Sequence, residues 1–397
     1  MSQARYVAQL ILHGALGSIF LGCGEKTLDL GRNVEPPEYA PPDPSDGNGM
    51  SDVPTWVATH QYGGDALLLD ETRVYWSTSG AAPRAAPQED FATCWTCEES
   101  FVLRSCVKSD CARTLVTYWR SPTFRVQVGV NRTGIYWTET KLGQGIAAIL
   151  TCPIAGCIGR PAIVISGVSS WALVVDDSYV YWLSTNSVLF KCDVNGCNQN
   201  PTIVGRAFNA GGTAPGVLAA SATNLYWIDM TTGTSLTGAI MTIPKDGSEP
   251  PRVIADGLHR PQSLAVDAEN VYFTESYSFG TVKRCPLAGC VGEPTVIASA
   301  QRYPTLLGVS GDRAYWFTFS NGPPTFSQGE SGAFAQLVGC PISGCGPNPT
   351  VLMGDDTGPR GVGVDATHVY WTRYGKSVPG PNGFYNDGAV MRVRPGQ

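Results

Sequence analysis

The residues of this chain that could do chemistry are its cysteines, a few histidines, and arginines and aromatics that recur at comparable places. Ten of the thirteen cysteines share one spacing, two sulfurs separated by four residues: Cys106 and Cys111, Cys152 and Cys157, Cys192 and Cys197, Cys285 and Cys290, Cys340 and Cys345. The intervening residues, as in CPIAGC and CDVNGC, are turn formers, so each pair reads as a disulfide that staples a tight turn. A sixth copy, IPKDGS, has Ile243 and Ser248 in place of both cysteines, as expected if the two sulfurs bond to each other. Closing so small a loop stabilises by about 2 kcal/mol in the chain-entropy model, and the pattern implies an oxidising compartment outside the cytoplasm. Cys94 and Cys97 form CWTC, which could be a redox dithiol or, with Cys106 and Cys111, a four-thiolate zinc site. The plain Cys94–Cys97 disulfide is the favoured reading, because Cys106 and Cys111 already belong to the shared pattern and no helix follows CWTC to lower a thiol pKa. Neither a metal nor a cofactor is expected.

Catalytic motifs are scarce. The chain has no nucleophile elbow, no HExxH and no paired carboxylates at a motif spacing. His60 and His259 fall in one kind of connection and His368 in another, so the three do not compose a metal centre. A binding module is therefore favoured over an enzyme, and the alternative is a carbohydrate-active lyase or hydrolase drawing acid and base from His60, His259 or a neighbouring Arg or Tyr.

The elements that must position these residues follow from a repeat. Seven segments carry an aliphatic or Ala residue, then Tyr, then an aromatic, beginning at Val74, Ile135, Val180, Leu225, Val271, Ala314 and Val369. Their tyrosines are 61, 45, 45, 46, 43 and 55 residues apart. A period in the forties with four strand-like runs per unit is the signature of an all-β propeller of seven blades. The fifth unit shows the runs most clearly: SLAVD, NVYFTE, GTVKRC and PTVIAS. The last unit stops one strand short, while PTWVATH at residues 54–60 precedes the first unit and matches the fourth-strand pattern PTVIAS and PTVLM. The N-terminal strand is thus expected to complete the last blade and close the ring, which removes an exposed sheet edge. The aromatic pairs themselves are expected to pack between blades, and Asp70, Asp176, Asp267 and Asp365, which end inner strands, to cap turns rather than bind calcium.

The segments IYWTE, LYWID, VYFTE and VYWTR, with the upstream LAVD, resemble the YWTD repeat of LDL-receptor-type propellers and the broader TolB-like group, over nearly all of residues 54–397. The chain departs from that family in having seven units rather than the typical six, and Asp after the third position only at Asp229. The resemblance implies fold and not the receptor's ligands. The start, with Arg5, an apolar stretch from Val7 to Leu21 and then Gly22-Cys23, resembles a bacterial lipoprotein signal peptide, which implies cleavage before Cys23 and its lipidation. The whole is similar to cysteine-paired propeller lipoproteins of myxobacteria. Residues 24–53, acidic and Pro-rich, read as a disordered linker. The expected domains are thus a signal at 1–23, the linker at 24–53 and the propeller at 54–397. The expected place is the cell envelope or the secreted fraction, with membrane attachment only through the N-terminal lipid and with the chain a monomer. A net charge of -6 without clustered Lys or Arg argues against nucleic acid.

Strand order then assigns the loops. Turns joining strands one to two and three to four share one face and are short or stapled; the long connections, near 77–99, 318–333 and 372–388 in blades one, six and seven, fall on the other. That second face also carries the links into each inner strand, with Tyr62, Phe124, Arg125, Trp171, His259, Arg260, Gln262, Arg302, Tyr303 and Arg360. Aromatics, Arg and amides converging on a channel mouth suit a protein or glycan partner.

Overall fold

The structure is a computed structural model that describes residues 54–395, apart from 60, 62–63, 80–100, 122–126, 141–146, 208–216, 231–236, 321–333, 375–376, 381–382 and 387. The described residues form seven four-stranded antiparallel sheets and one two-stranded hairpin. Each sheet is a blade, and in six of them the four strands follow the chain, as in the blade of unit five with Pro261–Val266, Asn270–Glu275, Gly280–Pro286 and Thr295–Gln301. Inner strands of successive blades pack side by side around the axis, and the inner strand of blade seven, Pro359–Val364, packs against that of blade one, Gly64–Leu69. The chain is a seven-bladed β-propeller.

Closure occurs as the repeat count requires. Thr55–Thr59 pairs antiparallel with the third strand of blade seven, Ala389–Val393, through Thr55 opposite Arg392 and Thr59 opposite Ala389. The fourth strand of the last blade therefore comes from the start of the chain. Where the ring closes, leucine side chains of blade one cover Gly363, and a Cβ there would stand 2.7 Å from Leu67 Cδ2.

The core is divided into seven buried clusters, one at each junction between neighbouring blades. The Tyr-aromatic pairs build them from both sides. Successive strand residues point to opposite faces of a sheet, so Tyr75 packs into the junction with blade two while Trp76 packs into that with blade seven. The same split sends Tyr226 and Trp227, and Tyr315 and Trp316, into opposite junctions. Trp76, Trp137, Trp182, Trp227, Trp316 and Trp371 are all fully buried. Each repeat thus glues its blade to two neighbours.

Five disulfides join the cysteine pairs expected from the spacing, Cys106–Cys111, Cys152–Cys157, Cys192–Cys197, Cys285–Cys290 and Cys340–Cys345, with Cα–Cα distances from 4.8 to 5.9 Å. In blade four Ile243 is buried in the junction with blade three, so aliphatic packing stands where the other blades place a sulfur. The staple of blade one encloses the start of a four-residue helix, Cys111–Thr114, which the spacing alone does not announce. Cys23, Cys94 and Cys97, and residues 1–53 with the expected signal and linker, lie outside the described residues.

Candidate binding site at the channel mouth

The two faces of the propeller use their loops differently. On the stapled face, the third residue of each three-to-four turn is Lys108, Ile154, Val194, Lys245, Leu287 or Ile342. In every one of these six blades its backbone N–H donates to a carbonyl of the one-to-two turn of its own blade: Thr72, Thr133, Ser178, Thr223, Glu269 and Asp312. At four junctions its carbonyl accepts from the preceding blade: Ile154 O from Tyr118 Oη, Lys245 O from Lys191 Nζ, Leu287 O from Arg252 Nη2 and Lys108 O from Arg392 Nη1. The side chains clasp as well. Ile154, Val194, Leu287 and Ile342 pack into junction cores. Lys108 and Lys245 reach instead to Asp365 and Asp176 of the preceding blades, each at 2.8 Å, and lie over Tyr370 and Tyr181.

Those aspartates are spent on structure. Oδ1 of Asp70, Asp176, Asp267 and Asp365 accepts two backbone N–H groups of the turn that follows, as Asp267 does from Glu269 at 2.8 Å and Asn270 at 2.7 Å. Oδ2 takes a Tyr hydroxyl at Asp70 and Asp267, and a Lys ammonium at Asp176 and Asp365. Burial pushes the Asp365 carboxyl up, but Lys108 and the N–H groups of Thr367 and His368 overcome it and hold the group at about 2. The expected turn capping is what this geometry performs. His368 sits in the same turn, on the stapled face, with its N–H on Asp365.

At the opposite end of the blades, buried polar groups tie each link to its neighbour. Gln61 Oε1 accepts Trp76 Nε1 at 2.9 Å and Arg104 Nη1 at 2.7 Å. Asp356, 1% exposed, accepts Trp371 Nε1 at 2.5 Å and Arg373 Nε at 2.6 Å, while the Arg373 guanidinium lies over Trp56 of the closing strand. Glu139 accepts Trp119 Nε1 and Ser121 Oγ. Glu275 accepts the His259 backbone N–H, the Thr281 hydroxyl and the Lys283 ammonium. Burial pushes the Glu275 carboxyl up, and those three partners more than reverse it, leaving it below its ordinary value. Both its oxygens are engaged by these partners.

Of the mouth residues expected from sequence, the structure describes those between blades four and seven. His259 is exposed, its ring edge-on to Tyr277 at 4.8 Å. Arg260 begins the link into blade five, with its carbonyl held by Ser276 N–H at 3.0 Å, and Gln262 is exposed on the inner strand that follows. Arg302 donates through Nη2 to Ser320 O at 2.7 Å. Tyr303, half-buried against the blade six–seven core, donates its N–H to Tyr277 O at 2.8 Å, and Arg360 lies over Tyr374 at 5.2 Å. Tyr62, Phe124, Arg125 and the Trp171 side chain lie outside the described residues.

Two members of this neighbourhood carry no motif. Tyr277 and the 72% exposed Phe279 sit on the tight hairpin between the second and third strands of blade five. The signal for them was the shortness of that connection, which leaves its side chains nowhere to go but outward. Of the three long connections, that of blade seven contains the hairpin Ser377–Gly380 and Gly383–Asn386; residues 80–100 and 321–333 of the other two lie outside the described residues. A groove of about 470 Å³ lies elsewhere, where Ile158 and Ile163 of blade two face Val194 and Asn195 of blade three.

No protein family profile and no curated protein matches this chain. Among solved structures, the WD40 β-propeller domain of Doa1 is similar with a TM-score of 0.51 at 10% identity, over 87% of this chain and 97% of that one. The likeness is one of fold. The gluconolactonase XC5397 from Xanthomonas campestris aligns at a TM-score of 0.40 and 14% identity, over 69% of this chain and 86% of that one. At such identities and scores neither speaks to activity.

Proposed function

We propose that the chain is an exported, envelope-tethered β-propeller that recruits a protein or glycan partner through the face opposite its stapled turns, with contacts spread over blades six, seven and one. The observation that supports it is the unequal use of the two faces. The stapled turns direct their N–H groups, carbonyls and third side chains inward or to the preceding blade. The opposite face carries the ends of the long connections, with Arg302 and Phe279 exposed and Arg260, Tyr277, Tyr303 and Arg360 half-buried. Irregular loops on a rigid scaffold are where recognition concentrates. In this reading residues 1–23 are a lipoprotein signal, Cys23 bears the lipid, residues 24–53 are a flexible spacer, and Cys94 and Cys97 pair.

Deleting residues 322–332 should abolish capture of a partner from an envelope fraction or a glycan array and leave thermal unfolding nearly unchanged. Asn195→Lys, on the exposed part of the stapled face, should leave capture intact. The opposite pattern sinks the assignment of faces.

A further inference from the structure

We propose that copies of this chain associate head to tail, the link after the staple of blade five in one copy docking in the groove between blades two and three of the next. Exposed apolar residues taken singly carry no such message. Two of them here come as a matched pair. The link from the staple to the fourth strand reads Cys157-Ile158-Gly159-Arg160-Pro161 in blade two and Cys290-Val291-Gly292-Glu293-Pro294 in blade five. Both take the same turn, with φ at 81° in Gly159 and 82° in Gly292, and a Cβ on either glycine would meet nothing within 4 Å. Ile158 and Val291, at the tips of these links, are fully exposed. The links of blades three and six place Asn198 and Gly346 there, so the turn itself does not call for an aliphatic side chain. Two residues further on, the charge differs in sign. Arg160 stands in blade two and Glu293 in blade five, both exposed and neither bonded among the described residues.

The two links therefore share a shape and carry opposite charges. Beside Ile158 lies the groove of about 470 Å³, with Ile163, Val194 and Arg160 along its walls. Val291, with the exposed Val296 of the strand that follows, forms an apolar ridge that bears the Glu293 carboxylate. Seating Val291 in the groove takes aliphatic side chains of both copies out of water and brings Glu293 to Arg160. Groove against groove would set guanidinium against guanidinium, and ridge against ridge carboxylate against carboxylate. Only the heterologous contact pairs opposite charges. Blade five stands three blades on from blade two in a ring of seven, near the opposite edge. Each docked copy thus keeps one ridge or one groove free, and a heterologous contact that does not close on itself builds an open chain. The monomer expected from sequence is then the dilute form.

The test is sedimentation velocity of the purified full chain over a concentration series. The weight-average sedimentation coefficient should keep rising with concentration. Arg160→Glu alone and Glu293→Arg alone should each weaken association by about tenfold, because an attraction becomes a repulsion. An equimolar mixture of these two variants should associate again, and so should the double variant Arg160→Glu with Glu293→Arg, since each puts opposite charges back across the contact. Val291→Ser should weaken association by about tenfold or more. None of these changes should move Tm, because the side chains touch nothing in the single copy. A chain that stays monomeric at every concentration, a plateau at a dimer, or single variants that sediment like the parent overturns the proposal. Loss in both single variants without recovery in the mixture overturns it as well.

Discussion

A lysine at the tip of a turn does in two blades what an aliphatic side chain does in four. Lys108 and Lys245 replace burial by a bond to the carboxylate that organises the neighbouring turn, so the same contact is made by charge. That substitution makes the junction between blades seven and one sensitive to acid. The Asp365 carboxyl is depressed to about 2 in the folded chain against an ordinary value near 4, so the unfolded chain binds its proton first on acidification. Its contribution is complete above pH 4 and is lost as pH falls towards 2. Asp365→Asn should lower stability at pH 7 by about 1 kcal/mol, allowing for the partial exposure of the pair, and should flatten the loss between pH 4 and 2. Urea melts at stepped pH would show both, and an undiminished acid slope in the variant would remove Asp365 from the account. Lys108→Leu, by contrast, should be partly rescued by apolar packing, since leucine stands at the same position in blade five.

At the scale of elements, the stapled turn is a small device with three actions. It closes on itself through the disulfide, holds the first turn of its own blade through one N–H, and reaches the blade behind through a carbonyl or side chain. Removing one staple by Cys285→Ser with Cys290→Ser should cost about 2 kcal/mol, visible as a lower urea midpoint, while single replacements should cost at least as much because they strand a buried thiol. Much of this element was legible in the sequence. The spacing of the cysteines, their joint replacement at Ile243 and Ser248, and the placement of each pair after a third strand needed only period-two strands and turn residues. The reach to the preceding blade was not legible, because it depends on which turns the ring brings together, and Lys108 with Asp365 are 257 residues apart. The same reason hid the left-handed backbone at Arg260 and Tyr303. Nothing in HRP or RYP separates a strained link from an ordinary proline turn. Phe279 and Tyr277 escaped notice because a tight hairpin in blade five looked less eventful than the long loops beside it.

For the whole molecule, the ring is held by its first strand. Ladder pairing of Thr55–Thr59 supplies four register pairs, and Val57 and Ala58 pack at the junction of blades seven and one. Removing residues 1–60 should cost on the order of 4 kcal/mol at about 1 kcal/mol per ladder bond, whereas removing residues 1–50 should leave the melting curve in place. A shared melting temperature for the two truncations would mean that the closing strand is dispensable. Gly363→Val should damage the same seam, since Leu67 Cδ2 lies within reach of a single Cβ. The blade count and the closure were readable in advance because both are matters of counting strands. The direction in which the chain arrives depends on the strand register. Thr55 pairs with Arg392 and Val393 with Val369, the residue that follows the one-to-two turn of blade seven, so the chain enters the propeller at the stapled end of its outermost strand. Pro54 therefore lies at the disulfide-bearing end of the propeller, and Arg260 at the opposite end.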